Sequence, residues 1–269
     1  MQAHAEVQFS PERCLGCRAC EAVCAHGGHE FCDGVHLVRR ENCQRCGRCA
    51  EACCSEALEL VGCSMTIDEV LAEVLRDRVF YDDSGGGVTL SGGEPLGQPE
   101  FALELLRRCR REDIRTAVET CGHCRWEELA AVLPLTDLVL MDLKHLDADQ
   151  HRAAVGVSNR LILANARKLM ATDKQVTFRV PVIPTVNDTP EALGAIAAFV
   201  HELAAVRQAA ATGGPPPEVE LLGFHRLASA KYRSLGMDDR AAALSPPSAD
   251  RMAELAGLAA SHGIAVRCR

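Results

Sequence analysis

The sequence predicts an α/β protein with a small cysteine-rich domain at residues 1–64 and a larger domain at residues 65–269. Two observations lead to this prediction. Eleven of the fifteen cysteines lie between Cys14 and Cys63, where little room remains for long helices or strands. From Met65 onward, short β-branched runs alternate with amphipathic stretches, which is typical of a parallel sheet or a barrel.

The larger domain is predicted to alternate helices with strands throughout its length. Apolar residues at helical spacing indicate the helices, and short runs rich in Val, Leu and Thr indicate the strands. A loop rich in Pro and Gly, ATGGPPPE at 211–218, precedes the fifth strand. The predicted elements, in order, are a helix near 66–77, a strand at 88–91, a helix near 99–111, a strand at 115–120, a helix near 125–133, a strand at 138–144, a helix near 158–170, a strand at 176–183, a helix near 190–210, a strand at 219–224, a helix near 248–262 and a short apolar run at 264–266.

The bulk composition argues against several classes of partner. A net charge of −8 is the wrong sign for a protein whose main partner is nucleic acid. No run of 18 or more apolar residues is present, so no membrane span is predicted. The first ten residues, MQAHAEVQFS, lack the basic and apolar segments of a secretory signal. We therefore expect a cytoplasmic protein with neither nucleic acid nor a membrane as its partner.

The cysteine-rich domain contains the pattern C-x2-C-x2-C-x3-C twice, a repeat typical of proteins that bind two [4Fe–4S] clusters. In such proteins the fourth cysteine of each run ligates the other cluster. Zinc is a weaker alternative because it favours two separated cysteine pairs. An odd cysteine total without a secretion signal argues against a disulfide framework. The predicted ligand sets are Cys14, Cys17, Cys20 and Cys53 for one cluster, and Cys43, Cys46, Cys49 and Cys24 for the other.

Polar side chains come at or near the ends of five predicted strands in the larger domain. In a parallel barrel these ends meet on one face, where active sites form. Parity along the fifth strand places Val219, Leu221, Gly223 and His225 on one face. Five such coincidences predict a site for a polar small molecule. The polar groups are Ser91 to Glu94, Glu119 with Thr120, Asp142 with Lys144, Arg179, and His225.

The stretch TLSGGEPL at 89–96 is the glycine turn of this predicted site. Gly92 and Gly93 have no side chains, so a ligand could approach the backbone there. The turn lacks both the P-loop pattern and the dinucleotide-binding glycine pattern. Glu94 argues against a phosphate and favours a ligand with a positive group such as an amine. An ordinary tight turn is the alternative.

Five stretches resemble, in order, the glycyl radical enzyme activating enzymes, which are radical S-adenosylmethionine (SAM) enzymes similar to pyruvate formate-lyase activating enzyme. The stretches are SGGGVTLSGGEPL, AVETCGH, DLKHLD, RVPVIPTVND and LLGFHRLASAKYRSLG. The resemblance covers nearly the whole chain, and the ferredoxin-like insert at 14–53 matches one subgroup of the family. It implies a partial (β/α)6 TIM-like radical SAM barrel, whose first strand is missing from this sequence, after an N-terminal ferredoxin-like domain.

The resemblance also implies a reaction and its partners. One electron cleaves SAM to methionine and a 5′-deoxyadenosyl radical, which removes hydrogen from a backbone glycine of a partner glycyl radical enzyme. The two ferredoxin-like clusters relay electrons, and a flavodoxin or a ferredoxin is the expected donor. The chain itself is expected to be a monomer.

The family's SAM-binding residues can be carried over by motif. The resemblance implies that Gly92, Gly93 and Glu94 receive the amino group of SAM. It places Asp142 and Lys144 beside the methionine moiety, with Lys144 suited to the carboxylate.

The remaining cofactor positions are also implied by the resemblance. Leu143 lies inside the DLK motif, and Arg179 and His225 flank the carboxylate, ribose or adenine side of SAM. Glu119 and Thr120, together with the aspartate of the DLK motif, match a small cation site beside SAM.

One departure from the family is large. The family binds a third [4Fe–4S] cluster through C-x3-C-x2-C, in a loop that precedes the ferredoxin insert. Only thirteen residues precede Cys14, none of them cysteine, and that motif occurs nowhere else in the sequence. Cys121 and Cys124 form a C-x2-C that does not replace it, so no catalytic ligand is assigned and the chain as written is predicted to be inactive.

Two hypotheses explain the missing motif. Either Met1 is an internal residue of a longer activase, or the chain is a non-catalytic two-cluster electron-transfer or SAM-binding protein with a remnant barrel. The retained SAM-contact positions favour the first hypothesis, and the third cluster is expected only in a full-length protein. A smaller departure is Thr185, which stands where the family usually has glycine.

Overall fold

A computed structural model describes residues 5–269, which form two compact units. The first unit comprises residues 5–64 and His225–Leu244, and the second comprises Met65–Phe224 and Ser245–Arg269. Within each unit, mostly short connections join the strands and helices given below. No helix within the described range has the length and apolar character needed to cross a bilayer.

The described chain contains ten strands, most of them close to the predicted positions. Four belong to the first unit and were not predicted individually. The strands are β1 (Glu6–Phe9), β2 (His29–Cys32), β3 (Val35–Val38), β4 (Leu58–Val61), β5 (Gly87–Leu90), β6 (Arg115–Thr120), β7 (Leu138–Asp142), β8 (Gln175–Val182), β9 (Glu218–Gly223) and β10 (Ala265–Cys268).

The six helices predicted for the larger domain are confirmed, with bounds that differ by one or two residues. Helices α4, α7 and α10 were not predicted. The helices are α1 (Ala19–Val23), α2 (Arg48–Glu51), α3 (Ile67–Arg76), α4 (Arg78–Ser84), α5 (Pro99–Arg111), α6 (Trp126–Val132), α7 (Ala148–Val155), α8 (Arg160–Met170), α9 (Pro190–Ala210), α10 (Leu227–Ser234) and α11 (Ala249–Ala260).

The second unit contains one six-stranded sheet in the order β10-β9-β8-β7-β6-β5, with every neighbouring pair parallel. This topology confirms the α/β prediction and the alternation of strands with helices. Because all six strands run the same way, the loops after them leave one common edge of the sheet. Except for His225, which belongs to the first unit, the polar residues predicted to form a site lie at or near that edge.

The two faces of this sheet differ in chemistry. On the helix-covered face of β7 and β8, side chains such as Met141, Leu143, Phe178 and Val180 are at most 2% exposed. Burial of such side chains contributes about 1.5–3 kcal/mol each to folding. The opposite face carries the charged residues of these strands. Leu143, predicted as a cofactor residue, therefore directs its side chain into the hydrophobic core.

The first unit repeats one local geometry at its two cysteine runs. A one-turn 3-10 helix, Pro11–Arg13 or Arg40–Asn42, ends immediately before the first cysteine of each run. The second and fourth residues after that cysteine have a positive φ in both runs. These residues are Gly16 (68°), Arg18 (60°), Arg45 (56°) and Gly47 (79°). The two cysteine loops are therefore folded alike, as their identical spacing predicts.

Residues 225–244, predicted as part of the larger domain, are grouped with the cysteine-rich segment in the first compact unit. They pack with the cysteine-rich segment because the Arg40 guanidinium joins the two. Its Nη1 donates to the Val7 carbonyl at 2.9 Å, and its Nη2 donates to the Ser234 carbonyl at 2.6 Å. Gly236 has a φ of +61°, and a Cβ there would lie 2.8 Å from Arg40 Nε, so another residue would be strained and would displace the Arg40 side chain.

Thr185 has a φ of +66°, which explains why the family that the sequence resembles usually has glycine at this position. The left-handed conformation costs a β-branched residue about 1–2 kcal/mol. Glycine removes this strain but adds backbone entropy to the unfolded state. We expect Thr185→Gly to raise the free energy of unfolding by about 0.5–1 kcal/mol, measured by urea denaturation. Thr89→Gly in β5 is the control and should lower the free energy of unfolding. An equal decrease in both variants would contradict the proposed strain at Thr185.

Candidate functional site

The candidate site lies along the carboxyl ends of β5 to β9 in the second unit. The first loop after β5 contains the glycine turn, in which Gly92 has a φ of +112° and both Gly92 and Gly93 are exposed. Such a φ is readily available only to glycine. A Cβ at Gly92 would meet nothing within 4 Å, so the turn borders open space.

Glu94 joins this turn to the end of β6. Its carboxylate accepts hydrogen bonds from the Leu96 N–H at 3.1 Å, the Thr120 hydroxyl at 2.8 Å and the Cys121 N–H at 2.8 Å. A carboxylate has about four lone-pair sites. The three donors named above therefore leave about one site of Glu94 available to a ligand amine.

A row of alternating charges crosses the face of the sheet that is not covered by helices. Arg179 Nη1 lies 3.0 Å from Glu119 Oε1, and Arg179 Nε lies 2.7 Å from Glu220 Oε2. At the two ends of the row, the Ser91 hydroxyl donates to Glu119 at 2.7 Å and Arg269 Nε lies 2.9 Å from Glu220. The row joins strands β5, β6, β8 and β9 with the residue that follows β10.

Sequence reasoning missed Glu220 because the parity of β9 was counted toward His225. In the structure Val219 and Leu221 are at most 1% exposed and face the helices, while Glu220 shares the face of Arg179. The alternation of glutamates with apolar residues in EVELLG was the available signal. The strand ends at Gly223, so its parity does not extend to the exposed His225, which belongs to the first unit.

Asp142 and Lys144 form an ion pair at the end of β7, with 3.1 Å between Lys144 Nζ and Asp142 Oδ2. The backbone beside them is fixed by Asn187, a fully buried residue that sequence reasoning did not single out. Its amide donates to the Lys144 carbonyl at 2.7 Å and to the Pro181 carbonyl at 2.8 Å. The N–H of Leu143 is likewise occupied, since it donates to the Arg179 carbonyl.

The side chains of Glu119 and Thr120, predicted for a small cation site, are not brought together. They are consecutive residues of β6 and therefore point to opposite faces of the sheet. Glu119 binds Arg179, whereas Thr120 donates to Glu94. Asp142 is paired with Lys144 instead.

The turn after β6 keeps its two cysteines as thiols. Asn165 donates to the carbonyls of Gly122 and Cys124, at 2.9 Å in each case. Burial raises the pKa of Cys121 to about 11 and that of Cys124 to about 12. The turn offers two cysteines, fewer than the four that a [4Fe–4S] cluster requires.

In the first unit, the structure gathers the eight cysteines of the two runs around two separate cavities. Each cavity is lined by three cysteines of one run and the fourth cysteine of the other run. The first cavity is lined by Cys14, Cys17, Cys20 and Cys53, and the second by Cys24, Cys43, Cys46 and Cys49. This crossed grouping is the one that the sequence pattern predicts for two iron–sulfur clusters.

Backbone donors face the thiols of the second cavity. The Gly28 N–H donates to Cys24 Sγ at 3.2 Å, and the Arg45 N–H donates to Cys43 Sγ at 3.4 Å. The positive φ of Arg45 directs its N–H toward that sulfur. The donor set, four cysteines at each of two cavities, fits two [4Fe–4S] clusters.

Comparison with known proteins identifies the family. The profile of the radical SAM superfamily matches residues 47–196. The chain is 43% identical over 237 residues to the isethionate sulfite-lyase activating enzyme of Oleidesulfovibrio alaskensis, a match that covers 86% of this chain and 73% of the relative. It is 38% identical over 240 residues to the (2S)-3-sulfopropanediol dehydratase activating enzyme of Klebsiella oxytoca, covering 87% and 73% of the two chains.

A solved structure agrees with these relatives. A domain of a pyruvate-formate lyase-activating enzyme from Bacteroides vulgatus superimposes with a TM-score of 0.55 at 28% identity, over 68% of this chain and 99% of that domain. The chain therefore belongs to the radical SAM superfamily and, within it, to the glycyl radical enzyme activating enzymes. The resemblance seen in its sequence motifs is confirmed.

Proposed function

We propose that this chain acts in the SAM-dependent formation of a glycyl radical on a partner glycyl radical enzyme. The observation that carries the proposal is the polar edge of the parallel sheet, in a chain that is 36–43% identical to several activating enzymes. That edge offers two glycines and a carboxylate in the loop after β5 and an ammonium group in the loop after β7. These groups match the charges of the amino-acid end of SAM.

Each end of the SAM methionine moiety has a complementary group in this proposal. Glu94 and the exposed backbone of Gly92 and Gly93 receive the SAM amino group. Lys144 leaves Asp142 to meet the SAM carboxylate. Arg179 serves the ribose or adenine side, as the resemblance implies. The small cation site beside SAM remains a proposal without a side-chain cluster to support it.

The eight cysteines of the two runs would hold two [4Fe–4S] clusters in the crossed sets described above. When bound, these clusters supply one-electron transfer. We infer that their electrons come from a flavodoxin or a ferredoxin. A cytoplasmic monomer remains our proposal for the form of the protein.

The residues of this sequence do not fit the third cluster, which the family binds through C-x3-C-x2-C. No such motif occurs in the 269 residues, and Cys121 and Cys124 supply only two cysteines. This mismatch favours a second candidate function for the chain as printed, namely two-cluster electron transfer or SAM binding without radical chemistry.

The partner is proposed at the level of its class, a glycyl radical enzyme. The names of the relatives refer to partners acting on isethionate, on (2S)-3-sulfopropanediol and on choline. Isethionate sulfite-lyase is the first acceptor to test, because its activating enzyme is 43% identical to this chain.

The test of the proposed function is anaerobic reconstitution of the printed chain with iron and sulfide. We expect about eight irons per chain and no reductive cleavage of SAM, because two four-iron sites are present and the third is not. About twelve irons together with 5′-deoxyadenosine formation would contradict the prediction for this chain. About one or two tightly bound zinc ions in place of iron would contradict the assignment of the cysteines.

A further inference from the structure

Two buried histidines of the β2–β3 hairpin connect the two cysteine cavities. His36 lines the first cavity and His29 lines the second, and His29 Nδ1 lies 2.9 Å from His36 Nε2. The other ring nitrogen of His36, Nδ1, lies 3.5 Å from Cys14 Sγ. Nε2 of His36 also lies 3.7 Å from Cys20 Sγ. One imidazole therefore contacts two of the four cysteines of the first cavity.

The orientation of the His36 ring is fixed by its packing. Phe31 stacks on it with 4.4 Å between the ring centroids and 7° between the planes. Phe9 approaches edge-on, also at 4.4 Å and at 64°. Both histidines are at most 9% exposed. Water is therefore not the ordinary partner of these ring nitrogens, and their hydrogen bonds must be made to each other and to the cysteines.

We propose that His36 donates its Nδ1–H to Cys14 and thereby raises the reduction potential of the cluster in the first cavity, with His29 holding His36 in the required tautomer. The proposal rests on the two-cluster function proposed above. A cysteine that ligates iron is a thiolate and only accepts hydrogen bonds. Because neutral imidazole has one N–H, a bond to Cys14 leaves His36 Nε2 as an acceptor. Nδ1 of His29 must then carry its proton and donate.

Hydrogen bonds to cluster sulfur atoms are a recognised determinant of reduction potential. On reduction, one electron from the flavodoxin or ferredoxin enters the cluster, its charge becomes one unit more negative, and no covalent bond or proton transfer is needed. A donor N–H stabilises that extra negative charge. The sulfurs of the second cavity instead receive backbone N–H groups from Gly28 and Arg45. The imidazole pair therefore acts on the first cluster selectively.

The competing interpretation is that the two histidines and a neighbouring cysteine bind a single metal ion. Cys20, His29 and His36 each offer one ligand atom, and these atoms lie within 4.8 Å of one another. However, His29 Nδ1 and His36 Nε2 are at hydrogen-bond distance from each other, and Cys20 also belongs to the predicted cluster set. We therefore favour the hydrogen-bonded pair and include metal analysis in the test.

The test is an anaerobic redox titration of the reconstituted full chain, followed by electron paramagnetic resonance. We expect His36→Phe to disfavour reduction of one cluster about tenfold, which is a shift of about 59 mV to lower potential for a one-electron couple. His36→Gln, whose amide can donate, should restore most of the shift. His29→Phe should lower the potential of the same cluster by less. Phe31→Leu is the control, since it removes the stacked ring but leaves both hydrogen bonds.

Each other outcome has one meaning. If the wild-type chain does not hold two clusters, the proposed function fails and the inference fails with it. If both clusters form but His36→Phe leaves both potentials unchanged, the inference alone is overturned. If His36→Phe fails to hold the first cluster, His29→Phe decides, and an unchanged potential there overturns the inference. Stoichiometric zinc that is lost in His36→Phe, with both potentials unchanged, would establish the mononuclear site instead.

Discussion

Replacing Arg179 by methionine is expected to lower the free energy of unfolding by about 3 kcal/mol. Arg179 is the only described cation within 4 Å of Glu119, and its Nε lies 2.7 Å from a glutamate, Glu220, whose side chain is 4% exposed. Loss of the guanidinium leaves that buried carboxylate with Arg269 alone, and 69% of the Arg269 side chain is exposed. Removal of one partner from a buried ion pair strands the other charge in a poorly solvated place.

Urea denaturation of the anaerobic protein measures this loss. The matched control is Arg152→Met, because Arg152 pairs with Asp149 at 3.3 Å on the surface and both side chains are more than half exposed. Exposed pairs contribute about 0–1 kcal/mol, so this control should change little. Glu220→Gln in the Arg179→Met background should recover part of the loss. Equal small losses in both arginine variants would show that the charge row does not stabilise the sheet.

The second large effect is expected from paired cysteine replacements in the first unit. If the ligand sets are crossed, Cys17→Ala with Cys53→Ala removes two ligands from the first cavity and leaves all four ligands of the second. Such a chain should retain about four irons and one reducible [4Fe–4S] signal. Cys17→Ala with Cys24→Ala damages both cavities, so no intact four-cysteine site should remain.

Iron analysis and electron paramagnetic resonance of the dithionite-reduced proteins separate the two outcomes. The two double variants remove the same number of cysteines, so each serves as the control for the other. The reverse result, with an intact cluster only after replacement of Cys17 and Cys24, would contradict the crossed sets. Such a result would mean that each run ligates its own cluster.

The sheet of the second unit could be predicted because its strands and helices have strong local patterns. Buried strands such as LVLMD at β7 are short apolar runs, and helices such as α9 have long apolar faces bounded by a Thr-Pro start. Helices α4 and α7 were missed because their sequences, RVFYDDS and ADQHRAAV, are short and polar. Their helical state depends on contacts that a periodicity argument does not include.

The candidate site could be predicted only where its signal is local. The cysteine sets follow from spacing within two short loops, and Glu94 follows from the glycine turn in which it lies. The hydrogen bonds from Thr120 and Cys121 to Glu94 join residues 26 and 27 positions apart, and no local pattern shows them. The pairing of His29 with His36 likewise depends on the register of the β2–β3 hairpin.

One measurement tests the central claim most directly, namely formation of 5′-deoxyadenosine from SAM under anaerobic reducing conditions. The printed chain is compared with the same chain extended upstream of residue 1 by a segment that carries C-x3-C-x2-C. We predict 5′-deoxyadenosine only from the extended chain, with about twelve irons instead of about eight. Formation of 5′-deoxyadenosine should fall strongly when Glu94→Gln is introduced in the extended chain. Equal 5′-deoxyadenosine formation by both chains, or none from an extended chain that holds about twelve irons, would contradict the account.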